Sequence, residues 1–514
     1  MATVVRSIGV MGIEGYPIAV QVKLLAGVVT MNIVGLGDQA VKEAKDRIES
    51  AFDHLRLEFP KKKIVVNLSP SDIKKSGAYL DLPMLIGLLI ESEQLTPTQV
   101  DLDRTIFLGE VGLNGELNHF KGVLPMVIAA QQAGFSTVVL PRDSLPEARR
   151  CLGIQYFGFS RLADALKWLE KRFVYIPDDT SSITHPKPSF VDFAEVAGHQ
   201  QLLKNILVAA AGAHNLLLIG PPGCGKSMIA KRIPTILPDL TEEEALEVMT
   251  IQSVAGLLGQ HQGTMVRPFR SPHYNTSPNA IIGGGTNALP GEISLAHNGV
   301  LFLDELPEYS RQTIDSLRQP LEDRIVTVAR VRQTNTFPAN FMLVAAMNPC
   351  KCGHYGSSRC NCSAIEVRRY RSRVSGPIYD RLDIQKYLAK VDFLQSGSQA
   401  CRWLSADMKA QVVAARVIQA DRFKDIEGVR TNAQMTARHM DQFCQLDAHS
   451  QSLLEKTFRK YDLSARSYGK ILTLARTFAD LEGAADIRRE DLISALMARD
   501  LDKEQAFALN QRGS

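Results

Sequence analysis

The chain has 514 residues, of which 45% are hydrophobic and 22% are charged, with a formal net charge of +4 at pH 7. This balance is typical of a globular protein of roughly three domains, and so small a charge does not by itself indicate nucleic-acid binding. The most apolar stretch, near Leu80–Ile90, is short and contains Asp81 and Pro83, and the N-terminus lacks a long apolar signal core, so we expect a cytoplasmic protein without membrane contact.

The N-terminal third alternates strand-like and helix-like patterns. Two strands and two helices are predicted, at Lys63–Leu68, Thr137–Leu140, Ala40–Leu55 and Leu124–Ala133. We therefore predict an α/β or α+β domain over residues 1–175. The polar, proline-containing segment 176–190 has the composition of an exposed linker.

The remaining chain changes character once. Residues 191–392 repeat a strand, a glycine-rich turn and a helix, which predicts a parallel sheet covered by helices. Residues 393–514 contain few glycines and prolines, and helical periodicity dominates there. We predict a separate helical domain for this last part.

A phosphate-binding loop begins the α/β core. The apolar run Leu216–Ile219 predicts a buried strand, and a helical pattern resumes at Met228. Between them lie Gly220, Pro221, Pro222, Gly223, Cys224, Gly225, Lys226 and Ser227. This is G-x-x-x-x-G-K-[ST] in its required strand–loop–helix context, so we predict ATP bound by backbone N–H groups and by Lys226, with Mg²⁺ held by Ser227.

Polar residues follow two further predicted strands. Val300–Glu305 ends in Asp304 and Glu305, and the apolar run Phe341–Met347 ends at Asn348. Open α/β sheets bind ligands at the carboxyl ends of their strands, so Asp304 is predicted to hold Mg²⁺ and Glu305 to activate the attacking water. Asn348 either positions water near the γ-phosphate or begins an Asn-Pro turn.

Arginines occur in two segments of the core. Ile325–Val331 alternates like a strand and the chain can return from Phe337, which places Arg330 and Arg332 near a hairpin tip. They either contact phosphates of a nucleic-acid strand or keep an exposed edge charged. Two earlier arginines, Arg267 and Arg270, are further candidates for DNA contact.

A cysteine cluster follows Asn348. Its spacing is C-x-C-x₇-C-x-C, formed by Cys350, Cys352, Cys360 and Cys362. Four thiolates suit a closed, tetrahedral, structural Zn²⁺ site, for which His354 is a possible substitute ligand. Redox-active thiols and incidental cysteines are the alternatives.

Together these motifs resemble the YifB/ComM family of magnesium-chelatase-like AAA+ proteins. The resemblance includes the phosphate loop, Asp304–Glu305, Asn348-Pro349 and Ser375–Asp383, and it extends to Gly12–Tyr16, Ile33–Asp38, Asn67–Lys75 and Ser464–Gly483. It implies a multidomain α/β fold with three parts. These are a Lon-protease-like (ribosomal S5-like) N-terminal domain, an AAA+ P-loop NTPase core with a helix-2 insert, and a C-terminal helical lid.

The resemblance also implies roles that spacing alone does not give. Asn348 becomes the sensor-1 residue, Arg381 the arginine finger that reaches a neighbouring subunit's ATP, and Arg466 the sensor-2 residue. A surface ion pair is the alternative role for each arginine. A finger that acts on a neighbour implies a ring, and the family assembles as homo-hexamers.

The Lon-like domain raises the alternative of a protease. Lon-type enzymes need a serine nucleophile and a lysine base, and the aligned positions here are Tyr79 and Leu124, with Ser76 and Lys121 nearby but displaced. Without that pair the nucleophile lacks its activator, so we expect a non-catalytic domain.

The family resemblance implies a hexameric ATP-dependent DNA translocase or helicase. It would promote branch migration on single-stranded and branched DNA in natural transformation and homologous recombination, with recombination proteins as possible partners. A chelatase-like motor and an ATP-dependent protein remodeller or protease are the alternatives.

Overall fold

The computed structural model describes residues 2–176, 191–196, 200–258, 266–285, 288–330, 333–389, 403–461 and 463–501. The chain forms two compact units. The first comprises Met1–Pro186 and Leu246–Thr264, and the second comprises Lys187–Ala245 and Met265–Ser514. Apart from Ile176, the linker expected over 176–190 lies outside the described residues.

The first unit is a mixed α/β structure. Its strands are β1 (Thr3–Met11), β2 (Glu14–Leu25), β3 (Thr30–Val34), β4 (Lys63–Ser69), β5 (Thr105–Phe107), β6 (Glu110–Val111), β7 (Leu117–Asn118), β8 (Thr137–Pro141) and β9 (Gln155–Phe159). Its helices are α1 (Gln39–His54), α2 (Asp81–Glu91), α3 (Val123–Gln132), α4 (Leu145–Ala148) and α5 (Leu162–Leu169). The four elements predicted here from sequence are confirmed, to within one or two residues at each end.

Seven of these strands form one sheet within the described residues, in the order β3-β4-β2-β1-β5-β8-β9. β1 and β2 pair antiparallel across a turn at Gly12, whose φ of 65° suits a residue without a Cβ. β4 alternates between buried and half-buried residues along its length, as expected of a strand with one face on a core. The apolar helix α2 is buried over nearly all its length, which explains why Leu80–Ile90 is so hydrophobic.

The second unit contains the remaining elements. Its helices are α6 (Gln200–Gly212), α7 (Lys226–Ala230), α8 (Glu242–Ala255, whose last ten residues belong to the first unit), α9 (Pro278–Ile282), α10 (Glu292–Leu295), α11 (Arg311–Ser316), α12 (Arg318–Asp323), α13 (Ala364–Arg371), α14 (Gly376–Tyr379), α15 (Ser405–Phe423), α16 (Ala437–Phe443), α17 (Ala448–Tyr461), α18 (Ala465–Leu481) and α19 (Arg489–Met497). Its strands are β10 (Leu216–Ile219), β11 (Phe269–Arg270), β12 (Gly283–Gly284), β13 (Leu289–Pro290), β14 (Val300–Leu303), β15 (Ile325–Arg330), β16 (Gln333–Pro338), β17 (Met342–Met347) and β18 (Ile384–Tyr387).

A parallel sheet forms the centre of this unit, in the order β11-β14-β17-β10-β18. The inner strands β10, β14 and β17 are buried throughout, as uninterrupted apolar runs predict. Ile219 pairs with Met347 and Leu303 with Ala345, so the carboxyl ends of these three strands meet at one edge of the sheet. The residues that follow them, Gly220, Asp304 and Asn348, are therefore neighbours.

The C-terminal part is helical, as predicted, and it belongs to the same compact unit as the parallel sheet. Helices α15 to α19 share a hydrophobic core with the sheet, and within it α18 packs closely on α19. Among the helices in the described ranges, none combines the length and apolar character that a bilayer crossing requires. Together the mixed α/β first unit, the parallel-sheet core and this helical region are the fold class predicted from sequence.

Candidate nucleotide site and cysteine cluster

The phosphate loop runs from the end of β10 to the start of α7. Gly223 and Gly225 adopt φ values of 77° and 89°, a left-handed conformation that residues with a Cβ rarely take. At Gly220, an added Cβ would lie 2.8 Å from the Leu388 carbonyl oxygen, so this position also excludes a side chain. The loop can therefore curl its N–H groups toward one point at a helix N-terminus, which suits a polyphosphate.

Lys226 lies inside this loop. Its ammonium nitrogen donates to the carbonyl oxygens of Gly220 at 2.7 Å and Pro221 at 3.0 Å, and to the Asn348 side-chain oxygen at 3.2 Å. Burial lowers the pKa of this ammonium group. The structure thus brings the lysine of the loop and the residue at the tip of β17 into direct contact.

Ser227 and Asp304 form the second contact between the two motifs. The Ser227 hydroxyl donates to Asp304 Oδ2 at 2.5 Å, which places two hard oxygen atoms side by side. Mg²⁺ is held in P-loop ATPases by this pair of residue types, and it prefers oxygen ligands. The residues present therefore fit a magnesium ion bound with the nucleotide.

Glu305 has a strained backbone that sequence reasoning did not anticipate. It adopts φ 52° and ψ 44°, the left-handed conformation that is uncommon for residues with a Cβ. Its N–H donates to Asp304 Oδ1 at 2.9 Å, and its carbonyl accepts from Glu308 at 2.7 Å. Such strain persists where the surroundings enforce it, often at functional sites, and here it leaves the Glu305 side chain exposed beside Asp304.

The two arginines with implied roles in ATP sensing meet at a third residue. Arg381 and Arg466 both face the carboxylate of Glu322, on α12. Arg381 also donates from Nη1 to the Pro377 carbonyl oxygen at 2.8 Å. No sequence pattern pointed to Glu322, because its partners are 59 and 144 positions away.

A buried ion pair supports this region. Asp383 is fully buried, and its carboxylate lies 2.6 Å from Lys470 Nζ and 3.7 Å from His214 Nδ1. Its Oδ2 also accepts from the Asn215 N–H at 2.7 Å. Burial alone would raise the pKa of Asp383, but the charge of Lys470 and the contact with His214 outweigh it and hold that pKa well below its usual range.

The cysteine cluster assembles as its spacing predicted. The sulfur atoms of Cys350, Cys352, Cys360 and Cys362 all lie within 4.8 Å of one another. Three separations are 3.3, 3.7 and 3.9 Å, close to the roughly 3.8 Å edge of a tetrahedron with 2.3 Å Zn–S bonds. A backbone hydrogen bond at His354 and the neighbouring Cys350 lower the pKa of Cys352 to about 6, whereas the side-chain contacts of Cys362 with Cys352 and Cys350 raise the pKa of Cys362 to about 11.

The candidate DNA-contacting arginines differ in their surroundings. Arg267 donates to the Asn298 carbonyl oxygen at 2.8 Å and pairs with Glu244 at 2.9 Å. Arg270 makes two hydrogen bonds to Glu292, at 2.6 and 2.7 Å. Both guanidinium groups are therefore held by carboxylates of their own unit, which gives them a structural role; DNA contact by either stays a prediction.

The predicted hairpin is present as β15 and β16. Arg330 is the last residue of β15 and pairs with Gln333, while Arg332 lies outside the described residues. Val326, Val328, Asn335 and Phe337 form one buried face, and the residues between them, Thr327 and Thr336, are exposed. The buried face anchors the hairpin on its unit, and Asn335 donates to the Ala288 carbonyl oxygen at 3.2 Å.

The N-terminal unit shows why the aligned position cannot supply a nucleophile. Tyr79 is buried and packs on Phe120, with ring centroids 5.6 Å apart. Burial raises the pKa of its hydroxyl, which disfavours a phenolate. Leu124, at the position aligned with the lysine base, is buried too.

Comparison with known families follows the same division of the chain. Residues 192–395 match the family described as magnesium chelatase, subunit ChlI, and residues 403–499 match its C-terminal family. Residues 20–144 match a third, described as subunit ChlI of Mg-chelatase. With the loop, acid pair and parallel sheet, these matches define an AAA+ ATPase of the magnesium-chelatase type, a class that uses ATP and Mg²⁺.

Relatives that match over nearly their full length narrow the assignment within this class to one family. The chain is 38% identical to the YifB protein of Escherichia coli over 503 residues, covering 98% of this chain and 97% of YifB. It is 36% identical to the competence protein ComM of Haemophilus influenzae over 502 residues, covering 96% of each. A much shorter match, 38% over 63 residues, relates 12% of the chain to 9% of the archaeal Lon protease of Methanocaldococcus jannaschii. The chain belongs to the YifB/ComM family.

Proposed function

We propose that this chain is the subunit of a homo-hexameric, ATP-driven DNA translocase that promotes branch migration on single-stranded and branched DNA. The processes it would serve are natural transformation and homologous recombination in the cytoplasm. One relative is named a competence protein, and the similarity to it extends over nearly the whole of both chains. Similarity over the full length of both proteins favours a shared function, whereas similarity of the ATPase domain alone would not.

The nucleotide site supports the motor half of the proposal. Lys226 would meet the β- and γ-phosphates, and Ser227 with Asp304 would hold Mg²⁺, which neutralises charge on the phosphates. Glu305, exposed beside Asp304, would accept a proton from the attacking water. Asn348, already in contact with Lys226, would orient that water.

The observation that carries the DNA half is the position of the hairpin. Along the chain, β15 and β16 lie between α12, which bears Glu322, and β17, which is followed by Asn348. A DNA strand bound at the hairpin tip would therefore be connected, through short regular elements, to both sides of the nucleotide site. Arg330, the last residue of β15, and Arg332, which lies outside the described residues, add positive charge to this segment of the sequence, and positive charge attracts a phosphate backbone.

The assembly of subunits into a ring is inferred from the role of Arg381 as an arginine finger. An arginine finger supplied by a neighbour stabilises the charge that develops during phosphoryl transfer, and such a residue is worth several orders of magnitude in rate. A site that needs Arg381 from a second copy is complete only between subunits. Arg466, on the lid helix α18, would act as the sensor-2 residue for bound nucleotide.

Zinc is proposed for the cysteine cluster. The four sulfur atoms leave no open coordination position, so the metal would be structural. The cluster loop also touches the phosphate loop, because a Cβ added at Gly353 would lie 2.7 Å from Cδ of Pro222. Zinc bound there would stabilise the loop that binds the phosphates of ATP.

The deciding experiment measures ATP hydrolysis by the full-length protein without DNA, with single-stranded DNA and with forked DNA. Stimulation by DNA, together with ATP-dependent migration of a four-way junction, is the expected result. Indifference to DNA would sink the proposal. Degradation of casein or dependence on a tetrapyrrole would then point to a protease or a chelatase-like motor.

A further inference from the structure

Glu322 divides its carboxylate between two arginines. Oε2 contacts Arg381 Nη2, and Oε1 lies 3.9 Å from Arg466 Nη2. The three residues come from separate elements, namely α12, the loop after α14 and the lid helix α18. One exposed acid thus joins the core to the lid at the two arginines implied in ATP sensing.

The arginines depend on Glu322 to different degrees. The Arg381 side chain is only 14% exposed, and its Nε is buried with no partner among the described residues. Arg466 is 56% exposed, and Glu322 itself is 57% exposed. Exposed ion pairs are weak because water screens them, so the arginines can exchange the exposed Glu322 carboxylate for a more highly charged anion at little cost.

The same residue lies next to the hairpin. Only Asp323 and Arg324 separate Glu322 from Ile325, the first residue of β15. Arg324 ends α12 in the left-handed conformation, and its carbonyl oxygen accepts from the Ala339 N–H at 2.7 Å, which closes the hairpin base. A displacement of the hairpin base therefore moves Glu322 relative to Arg381 and Arg466.

We infer that Glu322 is a positioning residue that holds Arg381 and Arg466 until DNA displaces the hairpin. Released from the carboxylate, Arg381 reaches the phosphates of a neighbouring subunit, whose charge exceeds that of a single acid. DNA engagement and trans catalysis are thereby coupled through one side chain. This inference rests on the proposed function, because it takes Arg381 as the finger and the hairpin as the DNA contact.

Removing the negative charge should uncouple the two events. In Glu322→Gln the amide keeps the shape of the side chain but holds two guanidinium groups poorly. We expect kcat for ATP hydrolysis without DNA to rise about fivefold, a typical size for coupling between two sites, while stimulation by DNA shrinks in proportion. A merely structural role would instead lower kcat with and without DNA alike.

The experiment compares full-length wild type, Glu322→Gln and Asp323→Asn, the exposed acid at the next position. Each is assayed for kcat and KM with and without single-stranded DNA, and thermal unfolding confirms that each is folded. Asp323→Asn should behave as wild type. The double variant Glu322→Gln with Arg381→Ala should lose the gain, since the gain acts through the finger.

Several outcomes would overturn the inference. They are an unchanged or lower DNA-free kcat in folded Glu322→Gln, an equal gain in Asp323→Asn, and a gain that persists without Arg381. The proposed function fails separately, when DNA does not stimulate the wild type. In that case, a raised rate of ATP hydrolysis without DNA that requires Arg381 would still support the conclusion that Glu322 restrains Arg381.

Discussion

The Lys470 ammonium nitrogen lies 2.6 Å from Asp383 Oδ1, and this pair ties the lid helix α18 to the residue before β18. Asp383 is fully buried, whereas the Lys470 side chain is 27% exposed. The lid therefore has a fixed attachment four residues from Arg466, on the same helix. We expect the orientation of Arg466 to depend on this attachment.

Replacing Asp383 tests the attachment. Asp383→Asn removes the charge that offsets Lys470, and breaking a buried pair in this way costs about 3 kcal/mol of unfolding free energy. Urea denaturation at pH 7 would measure the loss. Asp441→Asn, an exposed acid on α16, should stay within about 0.5 kcal/mol of wild type. Equal stability of the two variants would contradict a role for Asp383 in holding the lid.

The same residue predicts a dependence on pH. The pKa of Asp383 is held below its unfolded value of about 3.9, so the unfolded chain binds the proton more readily. The stabilisation is therefore fully present above about pH 4 and is lost as the pH falls below that value. Thermal midpoints between pH 6 and pH 3 should show this loss in wild type and less of it in Asp383→Asn.

Two substitutions at the nucleotide site should separate binding from hydrolysis. Lys226→Ala removes the charge that meets the phosphates and should abolish both. Glu305→Gln keeps the binding contacts but removes the proton acceptor, so ATP still binds while hydrolysis and unwinding fall at least about 100-fold. A fluorescent nucleotide and a phosphate-release assay measure the two steps. Glu308→Gln, an exposed acid three positions on, is the matched control; full hydrolysis by Glu305→Gln would remove Glu305 from its assigned role.

The finger can be tested by mixing inactive subunits. Arg381→Ala keeps its phosphate loop and Lys226→Ala keeps its finger, so a mixed ring contains complete sites only where the finger acts on a neighbour. Each variant alone should lose about 10³-fold or more in rate, and mixing should restore part of the activity. A mixture of Lys226→Ala and Glu305→Gln subunits should stay inactive, because each change disables the nucleotide site of the subunit that carries it and no neighbour can supply the missing residue. No recovery in the first mixture would show that Arg381 does not act in trans.

Metal analysis tests the cysteine cluster. Protein purified without added zinc should contain about one equivalent per chain, and Cys360→Ser should lose it. Cys151→Ser, a buried cysteine of the first unit, should retain it. Because Gly353 touches Pro222, chelation should also weaken nucleotide binding. Less than about half an equivalent in the unmodified protein would sink the zinc assignment.

Local sequence determined much of this protein. The strand Leu216–Ile219, the loop after it and the strand before Asp304 are set by apolar runs and by glycines that permit positive φ, and they lie where they were predicted. The cysteine cluster and the hairpin follow from short spacings as well. Such features need only neighbours in the chain, so a single sequence contains enough information to place them.

Tertiary structure decided the rest. The last ten residues of α8, at 246–255, belong to the first unit although the first four residues of the same helix belong to the second, because contacts distant in sequence outweigh proximity along the chain. Glu322 is a site for two arginines only once α12, the loop after α14 and α18 are packed together. Lys470 likewise meets Asp383 across 87 positions, and such charge pairing is a property of the folded surface that no periodicity encodes.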